Sequence, residues 1–151
     1  MPLGRVRSVE SFGSVDGPGL RYIVFLAGCR LRCLYCHNPE TWGAAGAEEK
    51  SAEAVLAAAL RFRPYWKGGG GITVSGGEPL VQADFVAGLF RLAKEAGVST
   101  CLDTAGEPFL RTDDAVLRAV AASDLVLLDI KHIDPEKHEA LTGRRNENIL
   151  D

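Results

Sequence analysis

Several features are missing from this sequence of 151 residues, and each absence narrows what the protein can be. No apolar run approaches the roughly 20 residues that a membrane-spanning helix needs, so we expect no membrane partner. Lysine and arginine total 17 against 20 acidic residues and form no basic block, so nothing favours nucleic acid as a partner. A signal peptide is also missing and cysteines number only four, which predicts a protein of the reducing cytoplasm.

Three of the four cysteines stand close together: Cys29, Cys33 and Cys36 have C-x3-C-x2-C spacing and directly follow the apolar run 22–28. Thiolates are strong ligands for iron and zinc. A [4Fe-4S] cluster normally takes four protein thiolates, one per iron, so three thiolates would leave one iron free to bind another molecule. A disulfide with a spare thiol is one alternative. A structural zinc site completed by His37 or Cys101 is another, although zinc ligands usually come as two separated C-x2-C pairs.

Strands and helices alternate along the rest of the chain. We predict buried strands over 21–27, 72–74, 98–102 and 125–130, and helices that begin near Ser51, Gln82, Thr112 and Asp134. Residues 1–20 are predicted as an N-terminal segment that packs on a sheet edge and ends in the turn 16–19. This pattern is typical of an α/β fold with a parallel sheet and crossover helices.

The residues that follow the four strands predict one shared site. The strands lead into Cys29, into 76–78, into 103–104 and into 129–131. Parallel sheets bind ligands at the carboxyl ends of their strands, so these four stretches should meet at one edge of the sheet. Asp129 interrupts an apolar strand, and we expect it to be buried and to need a partner other than Lys131, which lies too far along an extended strand.

Simpler interpretations remain open for several of these residues. The stretch 76–79 suits an ordinary strand-to-helix turn, and Asp103 suits a loop cap. Tyr35 can serve packing alone, and Asn38 can serve a turn. Cys101 is predicted to be a buried strand cysteine rather than a ligand. Two histidines, His132 and His138, are predicted to lie at the surface.

The cysteine spacing with Tyr35 directly before Cys36 resembles the signature of the radical S-adenosylmethionine superfamily. The wider runs 33–38 and 15–21 are similar to its glycyl-radical-enzyme activating branch, and most of all to the group that acts on pyruvate formate-lyase. The resemblance covers about 4–148. It implies a [4Fe-4S] cluster on the three cysteines, whose fourth iron chelates S-adenosylmethionine. Reductive cleavage then gives a 5′-deoxyadenosyl radical, which takes hydrogen from a glycine of the partner enzyme.

The same resemblance implies roles for particular residues. A monovalent cation site would use Asp103, Thr104, Asp129 and the backbone of Leu127. Pro79 departs from the alanine of the pattern, which a helix start tolerates. The contacts to S-adenosylmethionine would come from Tyr35, Cys36, His37, Asn38, Gly76, Gly77, Glu78, Asp129, Ile130 and Lys131.

The resemblance further implies a partial parallel (β/α) barrel in one domain, 1–151, with about four βα units of an expected six. We therefore expect the last two units to be missing. A flavodoxin or ferredoxin is the implied electron donor. Two alternatives stay open: an anaerobic ribonucleotide reductase activating protein, which is naturally this short and has the same cysteine spacing, and a non-catalytic metal-binding domain or inactive fragment.

Overall fold

A six-stranded sheet organises the computed structural model, which describes all residues 1–151. Four strands run parallel at its centre and one edge, as predicted, and each begins or ends within three residues of the predicted boundary. The spatial order is β3-β1-β2-β4-β5-β6. The bounds are β1 Gly4–Gly13, β2 Arg21–Leu26, β3 Glu48–Lys50, β4 Gly71–Gly76, β5 Ser99–Thr104 and β6 Leu125–Leu128.

Two strands were not predicted as strands. β1 pairs antiparallel with β2, and β3 pairs antiparallel with β1. Most residues of β1 are exposed or half-buried, and its register shifts twice, so it lacks the regular alternation that identifies a strand from sequence. The N-terminal segment thus packs on the sheet edge, as predicted, but as a strand of ten residues.

Five helices connect or follow the strands. The Ser51 hydroxyl caps the first by accepting the backbone N–H of Ala54 at 3.1 Å. Asp113, not the predicted Thr112, caps the third, because the Asp113 carboxylate accepts two backbone N–H groups. The fourth begins after Asp134 and ends at Gly143, as predicted. Their bounds are α1 Ala52–Leu60, α2 Ala83–Glu95, α3 Asp114–Ala121, α4 Pro135–Thr142 and α5 Glu147–Leu150.

The central strands have two different faces, because successive side chains of a strand point to opposite sides of the sheet. One face is apolar: Val24, Val74 and Leu102 are fully buried there in the same cluster as Phe85 and Leu89 of α2. This cluster is the hydrophobic core. On the other face, Thr73 and Ser75 of β4 and Asp103 of β5 are polar, and the last two lie near the ends of their strands.

The β6 edge differs from its prediction as a buried strand. Leu125, Val126 and Leu128 are exposed, since β6 is the last strand of the sheet and no further strand pairs with it. Leu117 of α3 is exposed as well. None of the helices combines the length and the apolar character that crossing a membrane requires.

Candidate functional site

The carboxyl ends of the parallel strands border a cleft of about 370 Å³. All four stretches predicted to meet at this edge contribute to its walls. Its lining includes Asp16, Phe25, Cys29, Cys33, Tyr35, Cys36, His37, Asn38, Thr41, Trp42, Ser75, Gly76, Gly77, Asp103, Thr104, Ala105, Asp129 and Lys131. The topology therefore places the cysteine motif opposite the glycine pair and beside three aspartates.

The cysteine loop, residues 28–37, is held at its start and in its middle by backbone hydrogen bonds. At its start, the N–H of Gly28 donates to the carbonyl of Thr41 at 2.6 Å. Further along, the N–H groups of Arg32 and Leu34 donate to the carbonyls of Thr142 and Leu141, at 2.7 and 3.0 Å. Those carbonyls belong to the last turn of α4, where a helix leaves acceptors without intrahelical partners. The end of α4 therefore fixes the middle of the loop.

The three clustered thiols all line the cleft, and none forms a disulfide. Cys101 lies fully buried in β5, as predicted, and does not line the cleft. Burial raises the pKa of Cys29 to about 11 and raises the pKa of Cys33 as well. A metal that binds Cys29 and Cys33 must therefore displace their protons at neutral pH.

The donor set fits a cluster better than a single ion. No three side chains of His, Cys, Asp or Glu converge on one metal position. A zinc site needs such convergence, because four ligands surround one ion at about 2.0–2.3 Å. A [4Fe-4S] cluster instead binds each thiolate to a different iron, so its three thiols stand apart around a larger object.

The glycine pair opposite the cysteines permits a close approach of two backbones. Gly76 has a φ of +119°, and a Cβ atom there would lie 2.3 Å from the backbone nitrogen of Leu26. A Cβ atom on Gly77 would lie 2.4 Å from the carbonyl oxygen of Gly28. The end of β4 can therefore pack against the start of the cysteine loop only because both residues lack side chains.

Glu78 follows the glycines but turns away from the cleft. Its carboxylate is only 1% exposed and accepts three hydrogen bonds, from Leu80 N at 3.0 Å, Thr104 Oγ1 at 2.6 Å and Ala105 N at 2.9 Å. Burial raises the pKa of Glu78 to about 7, against the opposing effect of these donors. Glu78 thus ties the end of β5 to the turn after β4, while its contact with the cofactor stays a prediction.

Asp103 and Thr104 end β5 at the floor of the cleft. Asp103 accepts a hydrogen bond from the hydroxyl of Ser75 at 2.7 Å, and burial raises the pKa of Asp103. The hydroxyl of Thr104 is engaged by Glu78 and by the N–H of Gly106. The backbone of Leu127 lies in register with Asp103 in the adjacent strand.

Asp129 and Lys131 stand at the rim of the cleft and pair with each other. From the sequence we expected a buried Asp129 with a partner other than Lys131. Both expectations are wrong, because β6 ends at Leu128, so the two residues do not follow extended geometry, and Asp129 is exposed. Burial lowers the pKa of Lys131, but the hydrogen bond and charge of Asp129 outweigh it and leave that pKa raised. Ile130 is exposed and does not line the cleft.

His138 is fully buried, which corrects its prediction as a surface residue. Its Nδ1 lies within hydrogen-bond reach of the carbonyl of Arg144 and of the Thr142 hydroxyl. α4 is polar overall, so its sequence gives little indication of which face is covered. His132 is half-buried, and its Nδ1 accepts the N–H of Asp134 at 3.0 Å.

Seven residues that line the cleft were missing from the predicted site: Asp16, Phe25, Leu31, Thr41, Trp42, Ser75 and Ala105. Asp16 reaches it because the hydroxyl of Thr73 donates to its carbonyl at 2.7 Å. The signals for it were the turn composition of 16–19 and the family resemblance of the run 15–21, which implies a loop near the active site. Trp42 lies under the guanidinium of Arg32, 4.8 Å from its ring centroid, and no feature of the sequence indicates that contact.

Comparison with known proteins places these features in a family. Residues 23–151 match the sequence family described as the Radical SAM superfamily. A relative from Listeria monocytogenes named pyruvate formate-lyase-activating enzyme is 50% identical, and the alignment covers 99% of this chain and 62% of the relative. A relative of the same name from Streptococcus mutans is 51% identical, and the alignment covers 97% of this chain and 58% of the relative. A third, from Clostridium pasteurianum, is 48% identical over 95% of this chain and 59% of its own length. The chain thus spans about three fifths of these relatives.

Solved structures share the fold at low sequence identity. SuiB of Streptococcus suis bound to its precursor peptide SuiA aligns with a TM-score of 0.66 and 17% identity, over 85% of this chain and 28% of SuiB. QueE from Escherichia coli aligns with a TM-score of 0.57 and 17% identity, over 82% of this chain and 70% of QueE. The prediction of a partial radical SAM (β/α) barrel is confirmed.

Proposed function

The chain belongs to the radical S-adenosylmethionine superfamily, and we propose that it activates a glycyl radical enzyme by removing a hydrogen atom from one of its glycines. Pyruvate formate-lyase is the proposed partner. One observation carries the proposal: three free thiols of one loop face a single cleft, while the fourth cysteine lies in the sheet. The relatives that are 48–51% identical and bear the corresponding name support the choice of partner.

The cofactors of this superfamily are a [4Fe-4S] cluster and S-adenosylmethionine, the two predicted from the sequence. Cys29, Cys33 and Cys36 would each hold one iron. When both cofactors are bound, the reduced cluster supplies the electron that cleaves S-adenosylmethionine. The cysteine loop and the end of β4 form facing walls that shield the thiols, and Cys33 is buried in the protein alone.

Carboxylates of the cleft suit a cationic cofactor. S-adenosylmethionine carries a sulfonium and an ammonium group, and Asp16, Asp103 and Asp129 all line the cleft. Lys131 pairs with Asp129 and lies 5.8 Å from the centroid of the Tyr35 ring, so it keeps the rim ordered. We assign the remaining contacts to the predicted residues Tyr35, Cys36, His37, Asn38, Gly76, Gly77, Ile130 and Lys131, and we assign Glu78 to holding the floor of the cleft.

A monovalent cation site is proposed beside this one, on Asp103, Thr104, Asp129 and the carbonyl of Leu127. Its support is that the carboxylate of Asp103 accepts only one hydrogen bond, from Ser75, and so has acceptor capacity left. Dependence of S-adenosylmethionine binding on potassium or sodium, lost in Asp103→Asn, is the expected result.

The setting of the reaction is also proposed. A flavodoxin or ferredoxin supplies the electron, the protein works in the cytoplasm, and neither nucleic acid nor a membrane takes part. We propose that residues 1–151 form one domain and correspond to four βα units of a six-unit barrel. The four parallel strands and the unpaired edge of β6 support this correspondence.

The decisive experiment is anaerobic reconstitution with iron and sulfide. We expect about four irons per chain, lost in Cys29→Ala, Cys33→Ala and Cys36→Ala but retained in the matched control Cys101→Ala. After reduction, S-adenosylmethionine should give 5′-deoxyadenosine, and added pyruvate formate-lyase should show a glycyl radical by electron paramagnetic resonance. Zinc bound without iron would refute the proposal. A radical formed only on anaerobic ribonucleotide reductase would reassign the partner.

A further inference from the structure

Glu107 carries a buried charge next to the cysteine loop. It lies between β5 and α3, and its side chain is only 7% exposed. Its Oε1 is 3.3 Å from Nη1 of Arg144 and 3.9 Å from Nη1 of Arg30. Its Oε2 is buried and has no hydrogen-bond partner. Arg30 directly follows the first cysteine of the loop, so this carboxylate faces the loop from outside the cleft.

The first turn of the cysteine loop has few other anchors. Neither Arg30 nor Leu31 forms a backbone–backbone hydrogen bond. The carbonyls of Cys29 and Leu31 are bound by the side chain of Arg32, which belongs to the loop itself. The turn has two polar contacts with other segments: the N–H of Cys29 donates to the carbonyl of Trp42 at 3.2 Å, and Arg30 pairs with Glu107.

Three segments meet at Glu107. Besides its two ion pairs, its backbone carbonyl accepts the side-chain amide of Asn148 at 2.7 Å. Arg144 follows the end of α4, whose carbonyls hold the middle of the cysteine loop. A carboxylate is costly to bury, and paired cations offset that cost, so Glu107 and its two arginines form one unit.

We propose that Glu107 is a positioning residue that acts through Arg30 to hold the first turn of the cysteine loop in its cluster-binding shape. The inference rests on the proposed function, because it supposes that the loop carries a cluster. Groups that orient metal ligands from outside typically change metal affinity 10- to 100-fold when they are removed. Glu107 acts one residue away from a ligand, so we expect an effect near the lower limit.

The test uses the full chain reconstituted with iron and sulfide, and it measures the rate at which a chelator removes iron. We expect Glu107→Gln to lose iron about 10-fold faster than the original protein. Glu95→Gln is the matched control: it makes the same change at an exposed glutamate that pairs with Arg91 on α2. That variant should stay within about 2-fold, as an exposed pair contributes little.

Comparing the single and double variants of Glu107 and Arg30 distinguishes a positioning role of Glu107 from a general loss of stability. Arg30→Leu should also release iron about 10-fold faster, and the double variant should be no more than about 2-fold faster than either single variant, since each change alone already removes the Arg30–Glu107 pair through which Glu107 acts on the loop. The cluster's midpoint potential should rise in Glu107→Gln and fall in Arg30→Leu, because the two changes remove charges of opposite sign. A merely destabilised fold would not give shifts of opposite sign.

The outcomes distinguish the two proposals. If the original protein takes up no cluster, the proposed function fails. If the original protein takes up a cluster, and Glu107→Gln and Arg30→Leu release iron at the same rate as the original protein, the role of Glu107 is refuted and the proposed function stands. The role of Glu107 would also be refuted if the increase in the iron-release rate of the double variant equalled the product of the increases in the two single variants. Should Glu107→Gln fail to fold, the partly exposed Arg30→Leu still decides, since an unchanged rate in that variant overturns the inference.

Discussion

Replacing Arg21 by lysine should destabilise the protein strongly although the charge is kept. Arg21 starts β2 and is only 1% exposed, yet no carboxylate pairs with it. Its guanidinium instead forms hydrogen bonds to neutral acceptors in four parts of the chain. They are Thr73 Oγ1 at 2.7 Å, the carbonyls of Pro18, Gly69, Ile72 and Ser99 at 3.0–3.2 Å, and Ser99 Oγ at 3.4 Å.

The magnitude follows from counting donors. A lysine ammonium has three N–H groups and no planar fork, so it can satisfy at most half of these six acceptors. Each hydrogen bond that is lost here costs about 1–1.5 kcal/mol, which gives a loss of about 3–5 kcal/mol in the free energy of unfolding. For a chain of this length the melting temperature should fall by about 6–20 °C.

Urea unfolding of the metal-free protein under reducing conditions measures this loss. The matched control is Arg91→Lys, which alters a half-exposed arginine on α2 whose partners are the carboxylate of Glu95 and the sulfur of Met1. We expect the control to stay within about 0.5 kcal/mol of the original protein. If Arg21→Lys also costs less than about 1 kcal/mol, the hydrogen bonds of the fork do not stabilise the fold and the reasoning is wrong.

Three further predictions concern stability. Burial raises the pKa of Glu78 to about 7, so the folded state holds the proton of Glu78 more tightly than the unfolded state does. The free energy of unfolding of the original protein, relative to that of Glu78→Gln, should therefore fall by about 2–3 kcal/mol between pH 5 and pH 8. An equal difference between the two proteins at both pH values would contradict this. Gly76→Ala should cost more than about 3 kcal/mol in urea unfolding, because its Cβ would lie 2.3 Å from a backbone nitrogen of β2, whereas Gly43→Ala, with nothing within 4 Å, should be nearly neutral. Asp113→Ala should lower the free energy of unfolding by about 1 kcal/mol and Thr112→Ala by almost nothing, and the reverse order would restore Thr112 as the cap of α3.

The central strands were predictable because they bury both faces. Ile23, Val24, Ile72 and Val74 give short continuous apolar runs, and each run is followed by residues with evident chemistry. β1 was not predictable as a strand, since a largely exposed strand with two register shifts shows no regular pattern.

The parts of the site that follow from the path of the backbone were predictable, whereas the directions of individual side chains were not. The meeting of the cysteine loop with the ends of β4 and β5 follows from parallel topology alone. The direction of the Glu78 carboxylate depends on donors in the next strand, and the pair of Asp129 with Lys131 depends on where β6 stops. The hydrogen bonds of Arg32 and Leu34 to the end of α4 join residues more than 100 positions apart, which no local pattern reveals.

That last contact has a consequence for how the protein is made. The carbonyls that receive the N–H groups of Arg32 and Leu34 lie at the end of α4, roughly 110 residues later in the sequence. At about 5–20 residues per second, the ribosome adds that length in roughly 5–25 s. Throughout this interval the three thiols exist without the partner that shapes their loop. The nascent chain is therefore exposed to oxidants before it can accept a cluster, so oxygen during translation, and not only afterwards, should limit the yield of active protein.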